Sequence, residues 1–218
     1  WRFAAADAAR EKAVNRRLDP EVSIGLAGEL GVQQIDVVNW YNDQLPVSVS
    51  GRGSIRRWDD GRKLPDTIQA EFAYENKTVA SLAISLANSY GGRFEVLRGT
   101  NAAVKLAWTH GWMFKEADAP TQGWEVYANR QQFFKDEGIT LIADATKLAE
   151  QGKLKDGVGL PNTSLYYALA DFVRSATENK QVACDASAGA RATVLAILAN
   201  QAVLKGESMK IDAAALKM

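Results

Sequence analysis

Three polar residues within one short segment are the part of this sequence best able to do chemistry. They are Glu29, Gln33 and Asp36, and apolar residues recur at helical spacing from about Leu30 to Tyr41. On a helix that begins at Glu29, Gln33 follows one turn later, so both side chains project to the same side. A carboxylate can take a proton, whereas a primary amide can only donate and accept hydrogen bonds. The spacing therefore predicts a carboxylate and an amide side by side at the start of a helix.

The same residues also have purely structural interpretations. A carboxylate at a helix start, such as Glu29, is stabilised by the helix macrodipole without any catalytic role. Asp36 is equally explained as a hydrogen-bond partner inside the fold, and this interpretation is the favoured one for Asp36. Both interpretations stay open from the sequence alone.

A second group of candidates falls in segments rich in aromatic and polar side chains. If the strands after Pro46 run up and down, every second loop returns to the end where Glu29 lies: 53–66, 88–92 and 107–112. Aromatic faces with polar neighbours suit the apolar face and hydroxyl rim of a sugar. We expect the substrate-binding residues to be Arg17, Arg57, Trp58, Tyr90, Trp108, His110, Trp112 and Lys115. For some of the tryptophans a place in the core is the alternative, and for His110 an exposed loop position.

Composition excludes several functional classes. The 218 residues carry 26 basic and 26 acidic side chains, so no net positive field favours nucleic acid or an anionic membrane as a partner. One cysteine, Cys184, and one histidine, His110, allow no internal disulfide and none of the usual zinc sites. We expect no apolar run of membrane-spanning length and no secretory signal. The sequence begins at Trp1, and the compartment is not predicted.

One segment nearly matches the fingerprint of dinucleotide-binding proteins. Gly51-Arg52-Gly53 follows a predicted strand, but the sixth position of the motif is arginine, Arg56. A turn over 58–61 also stands where a helix must begin to meet a pyrophosphate. We therefore expect this chain to bind no cofactor by itself.

The remaining pattern predicts strands first and helices afterwards. Strands are expected near 47–52, 68–74, 80–86, 94–97 and 104–106, joined by short turns, with a last edge strand at 209–211. Residues 107–135 are expected to be irregular. Helices are expected over 139–152, from Ser164 to Asn179 and from Ser187 to Gly206. The helix from Ser164 to Asn179 is expected to carry Leu165, Leu169 and Phe172 on its apolar face. The fold class is thus α+β, with one open, predominantly antiparallel sheet of about five to six strands and helices on one face.

Glu29, Gln33, Asp36 and Trp40 also fit the pattern of a known family. Members of the Gfo/Idh/MocA family (glucose–fructose oxidoreductase, inositol dehydrogenase and rhizopine-catabolism proteins) carry, early in their second domain, an acid, three residues, a histidine, two residues, an aspartate and then a tryptophan. This stretch resembles that pattern. Segments 45–49, 97–102 and 165–172 resemble the family downstream, so the likeness runs from about residue 20 to 212.

The resemblance implies a two-domain enzyme. A Rossmann domain binds NAD or NADP and supplies a lysine, and a C-terminal domain closes the site for a sugar or polyol and builds the oligomer. Residues 1–20 are then a lead-in from a nucleotide-binding domain missing from this chain, and residues 21–218 are the substrate-binding and oligomerisation domain. NAD or NADP is expected only for the full-length enzyme. A homo-oligomer is expected through the free face of the sheet, because strand 78–87 presents small residues there: Val79, Ser81, Ala83 and Ser85.

Gln33 is the main departure from the family pattern, because members place a proton-relaying histidine at this position. Three explanations stay open. Glu29 is the base and Gln33 orients the sugar, the lysine of the missing domain moves the proton, or the site is dead as a dehydrogenase. We expect the substrate-binding domain of an NAD(P)-dependent oxidoreductase for a sugar, polyol or sugar derivative, inactive alone. The alternative is a non-catalytic carbohydrate-binding or assembly module with the same fold.

Overall fold

The computed structural model of the chain confirms an α+β fold with antiparallel sheets. It describes residues 2–90, 92–107, 110–122, 139–141, 151–152 and 160–217. The chain divides into two compact units, one formed by Trp1–Tyr90 together with Cys184–Met218, the other by Gly91–Ala183. Within these described ranges, each unit shows one four-stranded sheet.

The first unit begins with three short helices and then forms its sheet. The helices are α1 (Ala8–Val14), α2 (Gly25–Glu29) and α3 (Val32–Asn42), with a 3₁₀ turn at Arg16–Leu18. The strands are β1 (Ser48–Ser54), β2 (Thr67–Ala73), β3 (Val79–Ser85) and, near the C-terminus, β8 (Met209–Lys210). Their order is β3-β2-β1-β8, with every pair antiparallel. The predicted hairpin and the predicted edge strand are therefore confirmed.

Alternation along the strands decides which face of this sheet is buried. Val49 lies opposite Phe72, and Ala70 lies opposite Leu82, all on the face that joins the core. Side chains at the intervening positions point to the other face because successive residues of a strand alternate. That second face is polar and largely exposed.

The core of the first unit is built around helix α5 (Ala186–Lys205). Seven of its residues are buried, most of them small: Ala192, Leu195, Ala196, Ala199, Asn200, Ala202 and Val203. The Asp185 side chain caps the helix by accepting from the N–H of Ala188 at 2.8 Å, so the predicted cap at Ser187 is wrong by two residues. Gly206 ends the helix in the left-handed conformation, as predicted.

Helix α5 is also long and apolar enough, by length and composition alone, to cross a membrane. The expectation that no segment reaches that length is thereby corrected. Core helices of soluble proteins meet the same criterion, and the buried side of α5 packs with the sheet residues of the first unit. Its apolar character is thus accounted for by the core.

The second unit contains the other sheet. Its described strands are β4 (Phe94–Arg98), β5 (Ala102–Ala107), β6 (His110–Lys115) and β7 (Ile139–Leu141), paired in that order and all antiparallel. The sequence pattern predicted one continuous meander from the first strand to the fifth. In the structure β3 pairs with β2, and β4 belongs to the second sheet.

Two further elements of the second unit differ from the prediction. Segment 110–115 was expected to be irregular, but it pairs along its whole length with β5. Segment 139–141 was expected to begin a helix, but it pairs with β6, while residues 142–150 lie outside the described part of the chain. A short apolar run fits helix and strand equally well, and pairing with a neighbour decides between them.

Helix α4 (Ser164–Glu178) has the predicted length but not the predicted burial. Thr163, one residue earlier than expected, is its N-cap, and Asn179 ends it in the left-handed conformation. Leu165, Leu169 and Phe172 are each more than half exposed. Helical periodicity shows that an apolar face exists, but burial of that face also needs a packing partner.

Candidate functional site

The segment that carries the candidate catalytic residues consists of two helices, not one. Helix α2 ends at Glu29, and α3 begins at Val32. Between them, the N–H groups of Leu30 and Gly31 both donate to the carbonyl of Leu26. The prediction that Glu29 and Gln33 share one continuous helix is therefore wrong, because the chain turns between them.

Gly31 allows this turn to lie directly on the sheet. A Cβ at this position would stand 2.8 Å from the carbonyl oxygen of Ala27 and 2.9 Å from Cδ2 of Leu82 on β3. Both distances are shorter than a Cβ tolerates, so a side chain at this position would force the Ala27 carbonyl and the Leu82 side chain to shift. Gly31 thus allows the turn to approach β3 closely.

Glu29 and Gln33 both lie at the surface beside this turn. Each is exposed, whereas Ile35, two residues after Gln33, belongs to the core. The polar side chains on either side of the turn are therefore exposed, although Gly31 within the turn is buried. This arrangement places a carboxylate and an amide at the surface.

The carboxylate of Asp36 lies near the thiol of Cys184, just before α5. Burial raises the pKa of the Cys184 thiol above its usual value, and the nearby carboxylates of Asp36 and Asp185 raise it further. Asp36 is half-buried on α3, on the side that faces Cys184. This position supports the structural interpretation of Asp36. A thiol with a raised pKa is a poor nucleophile.

Hydrogen bonds to the β2–β3 hairpin hold the far end of α3. The Tyr74 O–H donates to Oδ1 of Asn39 at 3.1 Å, and the Asn76 amide donates to Oδ1 of Asn42 at 3.2 Å. Burial raises the pKa of Tyr74 to about 12. Trp40, whose position matches the family tryptophan, is 67% exposed, and its ring lies 5.2 Å from that of Tyr41.

The loop between β1 and β2 is organised by a residue that the sequence analysis did not single out. Asp66 is fully buried, and its carboxylate accepts from the backbone N–H groups of Arg56, Arg57 and Trp58 at 2.8–2.9 Å. Thr67 donates its hydroxyl to the same carboxylate. The only signal in the sequence was an Asp-Thr pair after Pro65 at the start of a strand, where a short acidic side chain can cap a loop.

Trp58 is held within this loop by cations. The guanidinium of Arg57 lies 5.3 Å from the centre of its ring, and that of Arg62 lies 5.6 Å away. Arg62 also forms a 2.6 Å ion pair with Asp60, and this bond lowers the pKa of Asp60 to about 2. The half-buried Trp58 ring is therefore held in the loop by two guanidinium groups.

The remaining predicted binding residues fall into separate groups. Arg17 lies 5.5 Å over the Phe3 ring, and Tyr90 is 96% exposed, both in the first unit. His110 stacks on Trp112 at 5.6 Å, and the Lys115 ammonium donates to the Pro120 carbonyl at 3.1 Å, in the second unit. His110, Trp112 and Lys115 all lie on strand β6, where an irregular segment was predicted. Trp108 lies outside the described residues.

The glycines of the near-fingerprint have a packing role. Residues 51–54 continue β1 as a strand and do not turn into a helix. A Cβ on Gly51 would stand 2.7 Å from Cγ2 of Val203 on α5, and a Cβ on Gly53 would stand 2.6 Å from Pro65. Both glycines therefore let α5 and the loop approach the backbone of β1. No dinucleotide-binding turn exists at this point of the chain.

Comparison with known proteins gives a match to one family model and a shared fold. The family model described as the GFO/IDH/MocA C-terminal domain matches residues 1–105. A comparison with curated proteins returned no significant match.

Solved structures share the fold at low sequence identity. An oxidoreductase domain protein from Kribbella flavida matches with a TM-score of 0.59 and 11% identity, over 90% of this chain and 53% of its own. The UDP-N-acetylglucosamine 3-dehydrogenase of Acidithiobacillus ferrooxidans matches with a TM-score of 0.58 and 18% identity, over 88% of this chain and 51% of its own. The aldose-aldose oxidoreductase of Caulobacter crescentus, complexed with glycerol, matches with a TM-score of 0.58 and 12% identity, over 89% of this chain and 50% of its own. The chain spans about half the length of these proteins.

Proposed function

Because the chain carries the C-terminal domain of the Gfo/Idh/MocA family, we propose that it is the substrate-binding part of an NAD(P)-dependent oxidoreductase. Its substrate is a sugar, a polyol or a sugar derivative. The observation that carries the proposal is the pair of exposed polar side chains, Glu29 and Gln33, on either side of the turn between α2 and α3. The solved relatives named as a sugar-nucleotide dehydrogenase and an aldose oxidoreductase support the substrate class.

NAD or NADP belongs to a Rossmann domain in this proposal and not to the chain itself. The one segment that resembled a dinucleotide loop is a β-strand packed under α5, so its residues do not fit a pyrophosphate. The chemistry assigned to this chain is therefore confined to holding the sugar and moving one proton. We expect the isolated chain to show no turnover and no micromolar affinity for NAD or NADP in calorimetry.

Glu29 is the residue that we assign as the proton acceptor. It is an exposed carboxylate on the same turn as Gln33, and a carboxylate can accept a proton where a primary amide cannot. Gln33 then orients the substrate hydroxyl by hydrogen bonds. A lysine from the Rossmann domain is the competing proton acceptor.

The test of this assignment uses the chain joined at its N-terminus to a Rossmann domain, assayed for NAD(P)H formation with a panel of sugars, polyols and nucleotide sugars. We expect Glu29→Gln to lower kcat by about 100-fold or more. Gln33→His should raise kcat and introduce a pH dependence near 6.5, the ordinary pKa of histidine. The matched control is Glu75→Gln, a carboxylate in the β2–β3 turn, which should leave kcat unchanged.

Each outcome of this assay separates the candidate roles. Unchanged kcat in Glu29→Gln removes Glu29 as the base and favours the lysine. Sugar binding without turnover in every variant, including Gln33→His, favours the second candidate function, a non-catalytic carbohydrate-binding or assembly module. Gln33 is the observation behind that second candidate.

We also propose that the chain forms a homo-oligomer through the free face of the first sheet. Val79, Ser81, Ala83 and Ser85 are exposed on β3 and are small enough for two sheets to pack closely. Ala83→Arg should raise the dimer dissociation constant by at least about tenfold, because it places a bulky, unpaired charge in the interface. Light scattering across a concentration series measures this, with Ala8→Arg on the exposed face of α1 as control. A wild-type chain that stays monomeric at high concentration contradicts the proposal.

A further inference from the structure

The free face of the first sheet contains a concavity that the proposed oxidoreductase site does not use. It measures about 330 Å³, and its polar lining consists of Arg52, Ser54, Arg56, Thr67 and Gln69. Arg52 lies opposite Gln69, and Ser54 lies opposite Thr67, where β1 ends and β2 begins. Helices α2, α3 and α5 pack on the other face of this sheet, so the concavity is separate from the turn that carries Glu29 and Gln33.

Neutral groups hold the two arginines of this concavity. Nε of Arg52 donates to Oε1 of Gln69 at 3.3 Å, and Nε of Arg56 donates to Oγ of Ser54 at 2.8 Å. By contrast, Arg62 in the neighbouring loop forms an ion pair with a carboxylate. The Nη atoms of Arg52 and Arg56 have no hydrogen-bond partner within the ranges that the structure describes. Two full positive charges therefore stand together with donors to spare.

The neutral partners add donors of their own. Because the Ser54 hydroxyl accepts from Arg56, its own O–H is left to donate outward. Because the Gln69 carbonyl accepts from Arg52, its NH₂ group is likewise left as a donor. The concavity thus combines two guanidinium groups, a hydroxyl and an amide, all able to donate to one acceptor-rich ligand.

Among the residues that the structure describes, no carboxylate lines this concavity. Asp66 adjoins Thr67 in sequence, but its side chain is fully buried, and its oxygens accept from the loop backbone. Glu71 lies further along β2, opposite Ser50. The lining therefore presents donors and positive charge to solvent.

We propose that this concavity, the Arg52–Arg56 notch, binds the phosphate group of a small, soluble phosphorylated molecule. A phosphate oxyanion accepts paired hydrogen bonds from a guanidinium, which holds it more firmly than a single-point contact would. The notch is larger than one phosphate ion, so the group attached to a phosphate monoester also fits there. The site is additional to the proposed oxidoreductase site and does not depend on it. It shares the free face with the proposed oligomer interface, because Thr67 and Gln69 lie opposite Ser85 and Ala83. Occupancy of the notch and close packing of two sheets at that point therefore exclude each other.

The test titrates the 218-residue chain with inorganic phosphate, pyrophosphate and glucose 6-phosphate, with glucose as the uncharged probe. Calorimetry gives the affinity, and amide NMR shifts give the location. Phosphate-bearing probes should move the signals of residues 52–56 and 67–69, whereas glucose should not. The double variant Arg52→Gln/Arg56→Gln should weaken binding at least about tenfold.

The matched control is Arg10→Gln/Arg98→Gln, which removes the same charge from two exposed arginines elsewhere. It should change the affinity less than about twofold. Equal weakening in both double variants would show general charge attraction and overturn the proposal, as would shifts confined to residues outside the notch.

Co-sedimentation with phosphatidylglycerol vesicles tests whether the phosphate group could come from a lipid instead. Vesicle binding that needs Arg52 and Arg56, without binding of the soluble probes, would also overturn it. Circular dichroism of every variant reports folding independently.

Discussion

Asp66→Ala is expected to lower the free energy of unfolding by about 3–5 kcal/mol. The substitution leaves the N–H groups of Arg56, Arg57 and Trp58 without their acceptor and frees a loop that anchors one end of β1. Urea denaturation of the two proteins measures the difference. Asp59→Ala, an exposed aspartate in the same loop, is the control and should change stability by less than about 0.5 kcal/mol. Equal effects of the two substitutions would show that Asp66 does not organise the loop.

The same carboxylate should make stability fall in acid. Burial raises the pKa of Asp66, but the N–H groups of Arg57, Trp58 and Arg56 together outweigh it, so the pKa lies below its ordinary value of 3.8. A pKa that is lower in the folded state contributes stability above the unfolded pKa. That contribution is lost as the pH falls through the folded pKa.

Asp66→Asn tests this acid dependence directly. The wild-type free energy of unfolding should decline from about pH 4 downward, and the Asp66→Asn variant, which cannot titrate at this position, should decline less steeply. Chemical denaturation at a series of pH values between about 2 and 6 measures both slopes. Parallel slopes would mean that other carboxylates, such as Asp60, carry the acid sensitivity.

Gly51→Ala is expected to cost about 2–4 kcal/mol, although alanine is among the smallest changes possible. The added Cβ would stand 2.7 Å from Cγ2 of Val203, 3.1 Å from its nitrogen and 3.2 Å from its Cα. Two of these atoms belong to the backbone of α5, so a side-chain rotation cannot relieve the contact and the helix must move. Thermal or urea unfolding measures the loss.

Gly189→Ala is the matched control for Gly51→Ala. Gly189 lies on the same helix α5, a Cβ added there would meet nothing within 4 Å, and alanine favours helix over glycine by about 1 kcal/mol. The control should therefore stabilise the protein. Val203→Ala in the Gly51→Ala background should recover only part of the loss, because the backbone contacts remain. Stabilisation by both glycine substitutions would contradict the close packing of α5 on β1.

The sequence by itself determined the features that depend on neighbouring residues. Alternating apolar residues located β2 and β3, and the ends of α4 and α5 were predicted near Asn179 and at Gly206. The fold class followed from the order of these elements and the family resemblance from segments such as 29–40, and both are confirmed. Periodicity and capping are properties of a few consecutive residues, and for that reason they can be read without knowing the fold.

Only the tertiary structure decided which segments pair and which faces are covered. The strand at 110–115 exists because β5 lies beside it, and the apolar face of α4 is exposed although its periodicity is strong. The break at Gly31 and the need for Gly51 come from β3 and α5, which are distant in sequence. The hydrogen bonds from Arg56 to Asp66 and from Arg52 to Gln69 likewise join residues that lie on different strands or loops. Contacts of this kind depend on three-dimensional neighbours, which spacing along one chain does not encode.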